Sequence, residues 1–177
     1  MFANAYEGGT VKTSATKETA SVFATSDVVA PGTGGSFTIT LDGTAEVRAA
    51  ININLTGSPV SYSGGGESYE PIKWSVGEKT GLTFAGLQGE ISSFNSSNSS
   101  INPGTSIKEK SLTISWAWDF NDNNDEVSKK DTLLGRMAAA GTDATTYKEN
   151  GIDYTMDLIM DVSVAVTISQ LQTTPTV

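Results

Sequence analysis

The chain has 177 residues, enough for one well-packed domain and too few for two of ordinary size. It carries 11 Lys and Arg against 20 Asp and Glu, a net charge of −9, so its average field repels nucleic acids and anionic membranes. It contains neither cysteine nor histidine, which excludes disulfides, thiol nucleophiles, zinc fingers, histidine-based triads and the HExxH metalloprotease arrangement. Abundant Ser, Thr, Gly and Asn favour short strands and turns, so we predict an all-β fold.

No stretch of the sequence contains the roughly 18 apolar residues that a membrane-spanning helix needs. The first residues also lack a basic region followed by an apolar one, as a secretory signal would have. We therefore expect a chain that is soluble as given or that has already been processed.

The first twelve residues form a segment with two aromatic side chains, Phe2 and Tyr6, among small ones. So short a segment cannot bury these rings against itself. Three outcomes are open: it pairs with its own sheet, it stays disordered, or it docks as a strand on a neighbouring subunit. We therefore treat residues 1–12 as an N-terminal tail and residues 13–177 as a single domain.

Alternating apolar residues predict core strands along most of the remaining chain. The first strand follows a Pro-Gly turn. The sets are Phe37, Ile39 and Leu41; Val47, Ala49, Ile51, Ile53 and Leu55; Ile72, Trp74 and Val76; and Leu82 and Phe84. The Ser- and Asn-rich residues 92–106 read as a polar surface loop.

A further strand brings two tryptophans to one face: Leu112, Ile114, Trp116 and Trp118 alternate. We interpret this face as packed core. An aromatic platform for sugar is the alternative, and it would require the rings to face solvent.

The acidic segment that follows places oxygen ligands at Asp119, Asn121, Asn123 and Asp125, in the spacing of the first half of an EF-hand loop. Two later positions depart from that motif, since Asn124 replaces its glycine and Lys130 its bidentate glutamate. We interpret the segment as a turn rich in Asp and Asn, with weak calcium binding near Asp119 to Asp125 as the alternative. No other cofactor is expected.

One short helix is predicted at residues 131–140, capped by Asp131 or Thr132 and ended by Gly141. Beyond it lies the strongest alternation of the sequence. A continuous strand over residues 156–168 would reach about 43 Å at roughly 3.3 Å per residue, so we expect it to bend or to cross between sheets. Its alternating residues are Met156, Leu158, Met160, Val162, Val164, Val166 and Ile168. The predicted architecture is an antiparallel two-sheet sandwich of jelly-roll type.

Several of these stretches together resemble one protein family. "ISWAWDFNDNNDE", "KKDTLLG" and "YTMDLIMDVSVAVTISQLQ" are similar, in this order, to the C-terminal half of the TasA/camelysin family of secreted bacterial biofilm-matrix proteins. "VVAPGTGGSFTITLDGTAEV" resembles the turn and first core strand of that family, and "MFANAYEGGT" resembles its mature N-terminus after signal-peptidase cleavage. The resemblance covers most of the chain outside residues 57–110.

The resemblance implies a jelly-roll subunit that polymerises head to tail into an extracellular fibre, its partner being another copy of itself. It favours strand exchange, in which the N-terminal strand of one subunit inserts into the next. Burying each aromatic anchor contributes about 2 to 3 kcal/mol before ordering costs. The donor strand then comprises Met1, Phe2, Ala3, Asn4, Ala5, Tyr6 and Val11, with Gly8 and Gly9 as its hinge.

The sequence leaves two other functions open. A secreted carbohydrate- or cell-wall-binding module would use exposed tyrosines, although the sequence indicates no clustered pair among Tyr62, Tyr69, Tyr147 and Tyr154. A metallopeptidase, as described for camelysin-like relatives, is disfavoured because the chain has no histidine. No nucleophile with a base is visible either, so we expect no enzyme, no catalytic residues and no resident metal.

Overall fold

The computed structural model describes residues 7–12, 18–21, 29–120, 125–141, 144–158 and 161–171. These residues are mostly β-strand, with two α-helices and three sheets in which antiparallel pairing prevails. The coarser part of the all-β prediction, a mostly β chain with antiparallel sheets, is therefore confirmed, and the jelly-roll topology stays a prediction.

Five strands form the largest sheet, in the spatial order β1-β3-β9-β7-β8. Its β1–β3 pair is parallel and the remaining pairs are antiparallel. The strands are β1 (Glu7–Lys12), β3 (Gly34–Asp42), β7 (Lys73–Val76), β8 (Lys79–Leu82) and β9 (Leu112–Ala117).

The other two sheets are antiparallel. A three-stranded sheet has the order β2-β12-β4, and a four-stranded sheet has the order β10-β11-β5-β6. The former contains β2 (Glu18–Ser21), β4 (Ala49–Ser58) and β12 (Asp161–Gln170). The latter contains β5 (Ser61–Gly64), β6 (Glu67–Tyr69), β10 (Thr146–Glu149) and β11 (Ile152–Asp157).

One hydrophobic core joins the five-stranded and three-stranded sheets, as in a sandwich. The buried positions follow the predicted alternation, because a pleated strand directs every second side chain to the same face. They include Phe37, Ile39 and Leu41 on β3, Ile51, Ile53 and Leu55 on β4, Trp74 and Val76 on β7, and Val162, Val164, Val166 and Ile168 on β12.

Val47 is an exception, since it is 42% exposed. It precedes β4 in a bend, so the alternation does not extend to it. The tryptophan prediction is confirmed: Trp116 and Trp118 are 8% and 6% exposed and belong to the core.

The long C-terminal alternation is divided between two sheets. Met156 lies on β11, which pairs with β5, whereas Val162 to Ile168 lie on β12, which pairs with β4. The expected crossing between sheets is thus found, and it occurs between Asp157 and Asp161, where residues 159–160 are outside the described part.

The helix predicted at residues 131–140 begins earlier, as α2 (Asp125–Ala140). Asp125 and Glu126 supply the negative charge that favours a helix N-terminus, so Asp131 lies inside the helix and does not cap it. Leu134 and Met137 are buried. The predicted end is correct, because Gly141 follows the last helical residue with a φ of +135°.

A second helix, α1 (Phe84–Ser97), contradicts three expectations: that there is one helix, that residues 92–106 are all loop, and that Phe84 continues a strand with Leu82. Phe84, Leu87 and Ile91 recur at helical spacing and are buried. Thr83 caps the helix, since its hydroxyl accepts from the Gly86 N–H at 3.1 Å. Serine is a weak helix former, so the Ser-rich letters concealed a helix that is stabilised by packing.

Candidate functional site

The N-terminal arm, residues 1–21, is described in two short strands. β1 pairs in parallel with β3 of the same chain, and Val11 is aligned with Leu41, a fully buried core residue. Of the predicted donor-strand residues, Val11 lies in β1. The other six, residues 1–6, lie outside the described part, so their role stays a prediction.

The predicted hinge, Gly8 and Gly9, lies inside β1 at a change of register. Glu7 is aligned with Thr38 and Thr10 with Thr40, so β1 holds one more residue than β3 across this interval. An extra residue in one strand is a β-bulge, which interrupts the ladder of hydrogen bonds. Glycine tolerates such backbone geometry, and the pairing of β1 is consequently weakest at the predicted hinge.

The second strand of the arm was not predicted. β2 pairs antiparallel with β12, with Ser21 aligned to Ser163 and Glu18 to Val166. The arm therefore covers one edge of the five-stranded sheet through β1 and one edge of the three-stranded sheet through β2.

The two strands that the arm covers are long, whereas the other edge strands of the five- and four-stranded sheets are short. Beneath the arm lie β3, with 9 residues, and β12, with 10. The other edge strands of the five- and four-stranded sheets, β8, β6 and β10, have 4, 3 and 4 residues. Short edges offer little to pair with. Within the described residues, the arm thus covers the long edges that the sheets would otherwise present to solvent.

The remaining long strand at an edge, β4, is closed by α1. The side-chain amide of Asn95 pairs with the backbone of Ile53: its Oδ1 accepts from the Ile53 N–H at 2.8 Å, and its Nδ2 donates to the Ile53 carbonyl at 2.7 Å. Gln88 Nε2 donates to the Leu55 carbonyl at 3.2 Å. Asn95 therefore imitates the backbone of an additional strand.

Backbone contacts extend the same closure. The Ile51 N–H donates to the Asn98 carbonyl at 3.0 Å, and Ala49 forms an antiparallel bridge with Ile101. Every second residue of β4 from Ala49 to Leu55 is paired in this way. Covering an edge with a helix is a known means of preventing sheet-to-sheet aggregation. The sequence offered a weak signal, polar Gln88 and Asn95 seven residues apart beside an apolar helical stripe.

The acidic segment is described only at its ends. Asp119 is exposed after β9, and Asp125 begins α2, while residues 121–124 lie outside the described part. Among the described residues, no group of three or more acidic side chains is positioned to hold a metal ion. Weak calcium binding here remains a prediction.

The expectation that no two of the four tyrosines cluster is wrong, because three of them lie together. The ring centroid of Tyr62 lies 5.7 Å from that of Tyr69 and 5.8 Å from that of Tyr154. Tyr62 is only 3% exposed, whereas Tyr69 and Tyr154 are half-buried. Tyr154 is distant in sequence from the other two, and the three rings meet because β6 and β11 both flank β5. Tyr147 lies on β10, and its hydroxyl donates to Glu149 at 3.1 Å.

Asp131 connects this cluster to α2 and to β9. Its Oδ1 accepts from the Tyr69 hydroxyl at 2.7 Å and from Trp118 Nε1 at 3.1 Å. One carboxylate oxygen thus receives two donors, one from β6 and one from the residue that directly follows β9. Sequence reasoning assigned Asp131 to a helix cap and missed this role, because both partners are contributed by other elements.

Gly64 permits the close approach of β11 to this cluster. A Cβ at residue 64 would lie 2.6 Å from the Asp153 carbonyl oxygen and 2.6 Å from Tyr154 Cδ1. We expect Gly64→Ala to lower the free energy of unfolding by about 1 to 3 kcal/mol, measured by urea denaturation. The control is Gly89→Ala inside α1, where the added methyl meets open space and is expected to stabilise by roughly 0.5 to 1 kcal/mol. Equal stabilities of the two variants would contradict this interpretation.

The tyrosine cluster also predicts a loss of stability at high pH. Burial, followed by the charge of Glu67, raises the pKa of Tyr62 from 10.0 to about 12, and burial and the hydrogen bond to Asp131 raise the pKa of Tyr69 as well. Since folding favours the protonated phenols, their contribution is complete below the unfolded pKa and is lost as the pH rises through the folded pKa. For Tyr62 the window is pH 10.0 to about 12.

This increase in the pKa of Tyr62 corresponds to about 2 to 3 kcal/mol in the free energy of unfolding. We expect the urea midpoint to be constant between pH 7 and 9 and to fall above pH 10. Tyr62→Phe should lose less stability across the alkaline window than the unaltered chain. An identical alkaline decline in both proteins would contradict the assignment.

No helix in the described ranges is long and apolar enough to cross a membrane. Comparison with family models, curated proteins and solved structures gives no significant match to this chain.

Proposed function

We propose that this chain is the structural subunit of an extracellular fibre, a biofilm-matrix or pilus-like filament, with no catalytic role. In this proposal the subunit is a secreted jelly roll. Its N-terminal strand leaves its own β3 and inserts beside the β3 of a neighbouring copy, so the polymer grows head to tail. The resemblance to the TasA/camelysin family favours the same function.

One observation carries the proposal. In the described chain, the long edges of β3 and β12 are covered by the N-terminal arm, whereas the long edge of β4 is closed by α1. A segment that covers an edge without belonging to the body of the sheet can be replaced by the same segment of another subunit. Such a contact joins two different surfaces, so it forms an open filament when the rotation does not close a ring.

The form of the β1 pairing supports exchange. It is parallel, short and interrupted at Gly8 and Gly9, and parallel pairing is slightly less stable per residue than antiparallel pairing. The free energy needed to release the arm is therefore smaller than for a continuous antiparallel strand of the same length. The arm also contributes β2, so an exchanged segment that extends to Ser21 would satisfy two edges of the acceptor.

Negative-stain electron microscopy of the full chain tests the proposal. We expect unbranched filaments to accumulate on incubation at high protein concentration. Sheared filaments should shorten the lag, because their ends offer acceptor edges. A protein that remains monomeric under these conditions, with and without seeds, would contradict the proposed function.

Divalent cations provide a further prediction, since the chain is strongly acidic and Asp119, Asp122 and Asp125 lie close together in sequence. Cations that bridge carboxylates on adjacent filaments would promote bundling. We expect calcium to increase filament bundling and a chelator to reverse it, as measured by light scattering and microscopy. Replacing all three residues with Asn should remove the response. Bundling that is insensitive to both calcium and chelator would show the prediction to be wrong.

A further inference from the structure

Three asparagines of the chain stand at the head of the triplet that accepts N-linked glycans in secreted proteins, in which a Ser or Thr follows two residues later and no Pro lies between. They are Asn54, Asn95 and Asn98. So short a triplet recurs by chance, so the sequence does not distinguish them. The structure distinguishes them, because the amide nitrogen of a glycosylated asparagine needs space for a sugar in the folded protein.

The side chains of Asn95 and Asn98 are both part of the packed structure around α1. Asn95 Nδ2, the atom that would carry the sugar, donates to the Ile53 carbonyl at 2.7 Å and so helps to close the edge of β4. Asn98 is 4% exposed, and its Nδ2 donates to the Phe94 carbonyl at 2.8 Å. A sugar on either nitrogen would have to fit inside these contacts, so both positions are incompatible with a glycan in the folded chain.

Asn54 lies in a different environment, on the outer face of β4. Its side chain is exposed, and so is that of Thr56, the third residue of its triplet, which shares this face of the strand. The residue directly opposite on β12 is Ala165, whose small side chain leaves room above the sheet. Asn54 is therefore the one triplet asparagine whose amide can carry a sugar without displacing a neighbour.

A groove of about 230 Å³ between β4 and α1 lies beside this amide, and Asn54 itself lines it. Asn52, Gln88 and Ser92 contribute amide and hydroxyl groups, which can both donate to and accept from sugar hydroxyls. Every residue that lines the groove is uncharged, although the chain has a net charge of −9. The groove is smaller than the site of a drug-sized ligand, and its size and polarity suit one attached sugar unit.

We propose that Asn54 is an N-glycosylation site and that the first sugar of the glycan lies in this groove. The donor is an oligosaccharide linked to a lipid pyrophosphate. A bond forms between Asn54 Nδ2 and the anomeric carbon of the sugar, Nδ2 loses a proton, and the lipid pyrophosphate leaves. Because Asn54 lies within a paired strand, transfer precedes the pairing of β4 with β12.

The proposal rests on the proposed function only in that the chain is secreted. Asn54 belongs to the three-stranded sheet, whereas the exchanged strand β1 and its partner β3 belong to the five-stranded one, so the glycan does not occupy that pairing. A bulky, hydrated glycan on the outer face of β4 would add to the protection that α1 gives this edge against irregular association.

Glycopeptide mapping of the full chain tests the proposal. The chain is fused to a cleavable export signal, produced in cells that N-glycosylate secreted proteins, and analysed by mass spectrometry before and after treatment with peptide-N-glycosidase. We expect a single glycan, at Asn54. Thr56→Ala should abolish it and Thr56→Ser should retain it, because serine keeps the triplet.

Ser97→Ala is the matched control, since it breaks the triplet of Asn95 and removes a hydroxyl that bonds only to the Ser93 carbonyl of its own helix. It should leave the glycan unchanged. Absence of a glycan at Asn54, a glycan at Asn95 or Asn98, or a glycan that persists in Thr56→Ala would overturn the proposal. The glycan is measured on single chains whether or not filaments form, so failure of this proposal is distinguishable from failure of the proposed function.

Discussion

Removal of residues 1–12 is expected to abolish filament formation and to lower the free energy of unfolding of the remaining domain. The deletion exposes the edge of β3 along the length that β1 covers, and each backbone hydrogen bond exchanged for one to water costs about 1 kcal/mol. The total loss is several kcal/mol, partly offset by the conformational entropy that the arm no longer gives up. Urea denaturation measures the stability, and negative-stain microscopy measures the filaments.

The shortened chain should still accept an arm from another molecule. A synthetic peptide of residues 1–12 is expected to restore its stability without restoring filaments, because the complex has no arm to donate. A scrambled peptide of the same composition is the control. When added to the full chain in small amounts, the shortened chain should end growing filaments and reduce their mean length. Filaments formed by the shortened chain alone would contradict the assigned role of the arm.

Asn95→Ala is expected to have the second large effect, because it opens the edge that α1 closes. The substitution leaves the N–H and the carbonyl of Ile53 without their partners, and two unpaired backbone groups cost about 2 to 4 kcal/mol. The newly open edge should also promote irregular lateral association. Urea denaturation and light scattering measure these two effects.

Two matched variants separate the contribution of the edge from a general effect on α1. Asn95→Asp keeps the acceptor for the Ile53 N–H but places a carboxylate oxygen against the Ile53 carbonyl oxygen, so it is expected to destabilise at least as much as Asn95→Ala. Ser96→Ala removes a hydroxyl that bonds only to the Ser92 carbonyl of its own helix, and should change stability by less than about 0.5 kcal/mol. If Asn95→Ala behaved like Ser96→Ala, the closure of β4 would contribute nothing measurable.

The strands of the core were predictable because their signal is local. Alternation along β3, β4 and β12 corresponds to burial on one face at almost every position, and the exception, Val47, lies outside its strand. Periodicity alone does not reveal where a strand changes sheets. The uninterrupted pattern through residues 156–168 therefore did not show where β11 ends and β12 begins.

Helix α1 was missed for a different physical reason. Its serines have low helix propensity, and Ser93, Ser96 and Ser97 bond to carbonyls of their own helix. The helix is stabilised by the burial of Leu87 and Ile91 and by Asn95, all of which act on other elements. Tertiary contacts of this kind override local propensity.

The candidate sites were predictable only in part. Val11 and the glycine pair were recognisable as part of a segment that needs a partner, but the alignment of β1 with β3 depends on contacts between distant residues. The tyrosine cluster and Asp131 depend in the same way on strand order, which brings β6 and β11 to the two sides of β5.

Disulfide trapping between subunits tests strand exchange most directly, because the chain has no cysteine of its own. Thr10 and Thr40 are aligned across the β1–β3 pair. Thr10→Cys protein and a mass-tagged Thr40→Cys protein are mixed, allowed to assemble and oxidised mildly. Thr10→Cys mixed with Ser92→Cys, an exposed position on α1, is the control for random oxidation. We predict disulfide-linked heterodimers of Thr10→Cys with Thr40→Cys in the filaments, well above the control. Filaments that contain no such heterodimers would contradict the exchange of the N-terminal strand.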